Sequence, residues 1–255
     1  QNSDATNVDR DLFGWGTSGW NNGNAFYQPY STSNATSDPY TSSNGYGYGP
    51  TDGSTYNYSL TGTYANSDWG VCNAILNGGN TAGMWRTLTK DEWTYVFNTR
   101  TTGGNVFGTT QARYTMATIR TDVGSGVNGI ILFPDGVDIS ADEVTTAGRV
   151  NYTAHEGVSS TWDTQCTPEQ WSALQAKGCV FLPAAGHLVD AQGVEGCHNL
   201  FCGEYWSSTA DSHETSEGVM ECANILYFHI SGLDFSSSGV ERKIGRAVRL
   251  VFPVE

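Results

Sequence analysis

The sequence is short of positive charge. Only three lysines occur, Lys90, Lys177 and Lys243, and Lys plus Arg total 12 against 26 Asp plus Glu, for a formal net charge of −14. So acidic a chain repels a phosphate backbone, which excludes DNA and RNA as partners and disfavours anionic membrane surfaces. Long hydrophobic runs are missing as well. No segment approaches the roughly 18 apolar residues a membrane span requires, so membrane insertion is not expected. Hydrophobic residues make up 38% of the chain, whereas Gly alone supplies 31 positions and Tyr 13. That balance points to short strands and long polar-aromatic loops instead of a helical bundle.

Several chemistry-bearing motifs are also missing. There is no Gly-x-Ser-x-Gly elbow, and His155-Glu156 lacks the second histidine of a zinc-protease helix. No Cys-x-x-Cys pair occurs, and Cys197-His198 with Cys202 and His213 fits no recurring zinc spacing. With no convergent acid, base and nucleophile, neither a catalytic residue nor a metal centre is expected.

Six cysteines are present, at 72, 166, 179, 197, 202 and 222. An even count without metal spacing suits disulfides formed in an oxidising compartment, outside the cell or at its surface. Short loop closure favours Cys197–Cys202 and Cys166–Cys179, which leaves Cys72–Cys222. Buried free thiols are the alternative. The start at Gln1-Asn2-Ser3 suits a mature terminus left by processing. Asn34, Asn57 and Asn151 each open a glycosylation sequon.

Along the chain, residues 1–10 read as a polar arm. Residues 21–66 read as a long Tyr/Gly/Asn-rich loop whose tyrosines offer area for packing. A short helix is expected over 68–79, with Val71, Ala74 and Ile75 on one face and paired glycines as the stop. Thr89 with Glu92 makes a capping box for a second helix carrying Trp93, Val96 and Phe97, and Thr167, Pro168 and Gln170 open a third that ends at Gly178. Strands are expected over 114–119 and 129–133, followed by a Pro134-Asp135-Gly136 turn. Residues 135–165 read as a polar excursion, and 179–187 as an apolar strand entering a turn. The C-terminal fifth reads as three strands, 204–209, 222–230 and 245–252, joined by polar loops at 211–218 and 231–245. Arg246 and Arg249 are expected to pair with core carbonyls or carboxylates. The whole reads as one α+β domain over 1–255.

The ordered set Leu12-Phe13-Gly14-Trp15-Gly16, Asp68-Trp69-Gly70, Trp85 through Trp93, Phe181-Leu182-Pro183-Ala184-Ala185-Gly186, Tyr205-Trp206-Ser207-Ser208-Thr209 and Val248-Arg249-Leu250-Val251 resembles the Fibrobacter succinogenes major paralogous domain, common in Bacteroidetes surface and secreted proteins. That family is similar to the C-type lectin-like fold of formylglycine-generating enzymes and of diversified receptor-binding proteins. The resemblance implies small twisted antiparallel sheets, two or three short helices and long irregular loops, with display from the C-terminal strands. It also implies a strand before Leu12 that this chain would lack, and an unpaired edge invites assembly.

The function expected is a non-enzymatic extracellular module. It binds a glycan or a protein, or it self-assembles as a homo-oligomer or surface filament; the alternative is an oxidase or hydrolase on the same scaffold. Expected ligand contacts are Asp211, His213, Glu214, Asn224, Tyr227, His229 and Asp234. No cofactor is required, although the acidic stretch Asp211, Glu214, Glu217 and Glu221 offers oxygens of the kind calcium takes, or is simply a solvated loop. Alternation puts Asn224, Leu226 and Phe228 on one face and Ile225, Tyr227 and His229 on the other.

Overall fold

The computed structural model describes residues 12–22, 25–26, 58–101, 103–120, 126–152, 162–188, 201–216, 218–229 and 232–252. The first third holds β1 (Asn21–Asn22), β2 (Ala25–Phe26), α1 (Trp69–Cys72), β3 (Arg86–Thr87) and α2 (Lys90–Thr94). The middle holds β4 (Gly104–Val106), β5 (Thr109–Ala112), β6 (Tyr114–Arg120), β7 (Gly126–Leu132), β8 (Asp138–Ile139), β9 (Thr164–Cys166) and α3 (Pro168–Ala176). The last third holds β10 (Val180–Pro183), β11 (His187–Leu188), β12 (Cys202–Thr215), β13 (Gly218–His229), β14 (Gly232–Glu241), β15 (Gly245–Arg246) and β16 (Leu250–Val251). The architecture is mixed α and β, mostly strands in small sheets with a few short helices.

Two sheets face each other across the main core. The antiparallel meander β12-β13-β14 forms one, and β10-β7-β6-β9 forms the other, with only β6 and β9 parallel. Period-two alternation sorts the residues of the second sheet. Tyr114, Met116, Ile130 and Leu182 point into the space between the sheets, where they meet Trp93 and Phe97 of the α2 region and Tyr205, Leu226 and Phe228 of the meander. Ala117, Ile131 and Phe133 point the other way, onto Leu174 of α3 and onto Val106 and Ile139 of the small β5-β4-β8 sheet. Gly203 is required by this packing, because a Cβ there would lie 2.0 Å from the Phe228 ring.

The outer face of the meander is covered by the start of the chain. Trp15, wholly buried, packs with Leu60, Trp206, Ala223 and Ile225. Its indole Nε1 donates to the Ser207 carbonyl at 2.7 Å, and the Arg242 guanidinium sits 4.3 Å from the centroid of its ring. The Phe13 amide donates to the Arg246 carbonyl and the Arg246 amide donates to the Phe13 carbonyl in return, both at 2.9 Å.

Both capping boxes form as expected. Thr89 and Glu92 exchange bonds at the start of α2, as do Thr167 and Gln170 at the start of α3. Three local readings need correction. The 68–79 helix is a single turn, Trp69–Cys72, because Asp68 caps Gly70 while its other oxygen accepts from the Thr87 amide at 2.8 Å, and the chain turns extended at Asn73. The polar stretches 211–218 and 231–245 are largely strand: β12 and β13 stay paired out to Thr215 and Gly218, and 232–241 is β14. The expected strand 245–252 breaks into β15 and β16, which pair with β11 and β3.

Cys166 and Cys179 are free thiols, as are Cys72 and Cys222, so neither of those pairings exists. Cys166 and Cys179 are buried, and burial pushes both thiols up to about 11. Cys202 is disulfide-bonded. Cys197, Asn34, Asn57, the 1–10 arm and most of 21–66 lie outside the described residues. Among the described residues no helix is long and apolar enough to cross a membrane.

If Trp15 anchors the start of the chain, Trp15→Ala should lose about 3–5 kcal/mol in denaturant unfolding. A loss below about 1 kcal/mol would show that the segment is merely laid on the sheet.

Candidate functional site

At the open end of the meander, β12 places Glu204 opposite Tyr227 of β13, and Tyr227 opposite Asp234 of β14. One row further out, Cys202 lies opposite His229, and His229 opposite Gly232. Directly paired residues project to the same side of a sheet. Glu204, Tyr227, Asp234 and His229 therefore share one face, while Leu226 and Phe228 turn into the core, as alternation requires.

Tyr227 and His229 are half-buried, with ring centroids 6.4 Å apart and planes within 7°. Asp234 beside them is exposed, and Gly232 puts no side chain opposite His229. Burial first, then the nearby Glu204 charge, pushes the Tyr227 phenol up, so its hydroxyl stays protonated and can both donate and accept.

The platform rests on a buried charge network. One Glu204 oxygen is 2.6 Å from His187 Nδ1; the other accepts from Arg246 Nε at 2.5 Å. The Arg246 guanidinium also donates to the Glu241 carbonyl at 3.2 Å and lies 4.7 Å from the centroid of the Trp206 ring. The β11–β15 ladder places His187 directly opposite Arg246, which brings both to the same carboxylate. Burial pushes the Glu204 carboxyl up, but the His187 hydrogen bond and the Arg246 charge outweigh it and hold it below the usual carboxylate range. A histidine on a carboxylate is the arrangement that orients an imidazole in acid–base catalysis. Here both carboxylate oxygens are committed and a guanidinium already compensates the charge, which suits a strut.

The seven residues singled out by sequence fall into separate places. Tyr227, His229 and Asp234 come together. Asp211, His213 and Glu214 lie toward the β12–β13 tip, opposite Cys222, Met220 and Val219, and Tyr227 is roughly 16 Å along β13 from Cys222. There Asp211 accepts from the Gly239 amide at 2.8 Å, while His213 and Glu214 are exposed. Asn224 is in the core, 3% exposed, with its Oδ1 unpaired. The Asn151 amide is hydrogen-bonded at both atoms: its Nδ2 donates to the Gln111 carbonyl at 2.9 Å and its Oδ1 accepts from the Arg113 amide at 2.8 Å. Among the described residues no cluster of three or more His, Cys, Asp and Glu is arranged to hold a metal. Arg246 pairs in the core as expected, while Arg249 is exposed. Sequence reasoning missed Glu204 and His187; the available signal was a glutamate inside the otherwise apolar Glu204-Tyr205-Trp206 run.

No protein-family model, curated protein or solved structure matches the chain.

Glu204→Gln leaves Arg246 buried without its counter-charge, and should cost about 3–5 kcal/mol at neutral pH. Because folding lowers the Glu204 pKa, its contribution is complete above the unfolded value of about 4.3 and vanishes as pH falls through the folded one. Unfolding free energies of the two proteins, measured from neutral to acid, should therefore converge as pH drops below about 4. A constant difference across that range would contradict the ionised pairing.

Proposed function

We propose that this chain is a non-enzymatic extracellular binding module of the C-type lectin-like type that recognises a glycan on the open end of its C-terminal meander. The observation that carries this reading is the parallel, half-buried Tyr227–His229 ring pair with the exposed Asp234 carboxylate beside it. Aromatic faces offer an apolar surface to the C–H side of a sugar, while a phenol and a carboxylate at the rim meet its hydroxyls. The small antiparallel sheets, the two capped helices and the pairing of Phe13 with Arg246 support the lectin-like assignment. A binding role is favoured over turnover because the acid–base pair nearest the platform, Glu204 and His187, is consumed internally.

A second reading, assembly into a surface oligomer or filament, is favoured by β14. Among the described residues this strand pairs with β13 alone, which leaves an edge for strand addition from another copy.

A glycan array probed with the intact chain tests the first reading, and light scattering of the same sample tests the second. Tyr227→Ala and Asp234→Ala should each weaken glycan binding about tenfold or more, while His213→Ala, on the distant tip, changes it little. Equal binding by all three variants would remove the platform from the site. A strictly monomeric chain at high concentration would remove assembly.

A further inference from the structure

A second candidate surface lies away from the meander. β4, β5 and the turn at 134–138 enclose an open groove of 640 Å³. Asn105, Gln111, Asp135 and Asp138 line it together with Gly103 and Gly104, and no aromatic ring does. Gly103 and Gly104 have no room for a side chain. A Cβ on Gly103 would lie 2.5 Å from the Gln111 carbonyl carbon, and one on Gly104 would lie 2.5 Å from Val137 Cγ1.

The rim is built with strain. Gly104 pairs with Ala112 and Asn105 with Thr110, so Gln111 is the extra residue of a β-bulge. It holds φ +57°, in the left-handed region where glycine would sit without strain. Asn151, itself at φ +55°, braces the bulge through its bond to the Gln111 carbonyl. The result is an exposed glutamine side chain held at the groove where folding alone favours none. The two carboxylates are oriented as well: Arg100 lies 3.1 Å from Asp135, and Asn105 Nδ2 donates to Asp138 at 3.0 Å.

We propose that this groove is a binding site for a short neutral saccharide. Its size falls within the usual range for small-ligand sites. Its walls present amide donors and acceptors, carboxylate acceptors and backbone, the groups that satisfy a ring of hydroxyls. A nucleobase would find no ring to stack on. An anionic sugar would meet two carboxylates on a chain of net charge −14. The proposal stands whether or not the Tyr227 face binds a glycan.

Amide NMR titration of the intact chain with maltose, cellobiose, lactose and xylobiose tests it. At least one of these should shift amides of residues 103–105, 110–111 and 135–138. Gln111→Gly removes the side chain and relaxes the backbone, so it should keep or raise the melting temperature while weakening that sugar about tenfold. Gln111→Ala, which removes the side chain at unrelieved strain, should weaken it equally. Tyr227→Ala should leave this affinity unchanged, which separates the groove from the meander face. The proposal is overturned if none of the four sugars moves groove amides, or if Gln111→Gly binds as the parent does.

Discussion

The buried contact between Glu204 and Arg246 governs how residues 13–15 and 242–247 meet on the meander. Two charges taken out of water are tolerable only together, and each here has further partners, His187 on one side and the Glu241 carbonyl on the other. Arg246 is also the residue whose backbone pairs with Phe13, and its guanidinium covers Trp206, whose indole donates to the Phe13 carbonyl at 2.8 Å. One ion pair thus joins the start of the chain, the β11 turn, the middle of the meander and the terminal segment. Arg242, four residues earlier, likewise lies over a tryptophan, Trp15, and donates to the Cys222 carbonyl at 2.7 Å. Hydrophobic burial supplies most of the driving force for folding. The charge network decides which segments share the outer face of the sheet.

That arrangement bears on the proposed recognition. Tyr227 and His229 sit on a continuous strand, paired on both sides, directly above the fixed carboxylate. A platform that does not reorganise on binding loses little entropy, and tyrosine contributes a large contact with few rotatable bonds. The β12–β13 tip is different in kind. Beyond Cys222, where pairing with Glu241 ends, it is a two-stranded ribbon, and an isolated ribbon is marginally stable in water. Rigid and pliant surfaces thus coexist on one pair of strands.

What was legible in the sequence was local. The Thr89–Glu92 and Thr167–Gln170 boxes lie within four residues, and the alternation of 222–230 is set by the pleat, so both could be read without knowing the fold. The stretches 211–218 and 232–241 match loop chemistry in their Ser, Gly, Asp and Glu; 211–218 belongs to a two-stranded ribbon, while 232–241 packs Leu233, Phe235 and Val240 against the core from among polar neighbours. The 68–79 helix starts where expected, with Asp68 as its cap, but stops after one turn because Asn73 is extended. Loop closure between Cys166 and Cys179 was plausible by spacing, and both thiols do enter the same core cluster, yet they remain free. For the candidate face, Tyr227, His229 and Asp234 were named in advance, whereas Asn224 could be placed in the core only once its strand neighbours were known. The Gln111 bulge gave no signal, because left-handed backbone at a glutamine has no signature in composition.

The central claim is that the Glu204–Arg246 network holds the chain ends on the meander as one cooperative unit. Native-state hydrogen exchange measures this directly. The amides of Phe13, Trp15, Trp206 and Arg246 should exchange only through global unfolding, with equal free energies and equal denaturant dependence, while amides near the β12–β13 tip exchange through smaller openings. Exchange of Phe13 and Arg246 through a low-energy opening that leaves Trp206 protected would contradict the account.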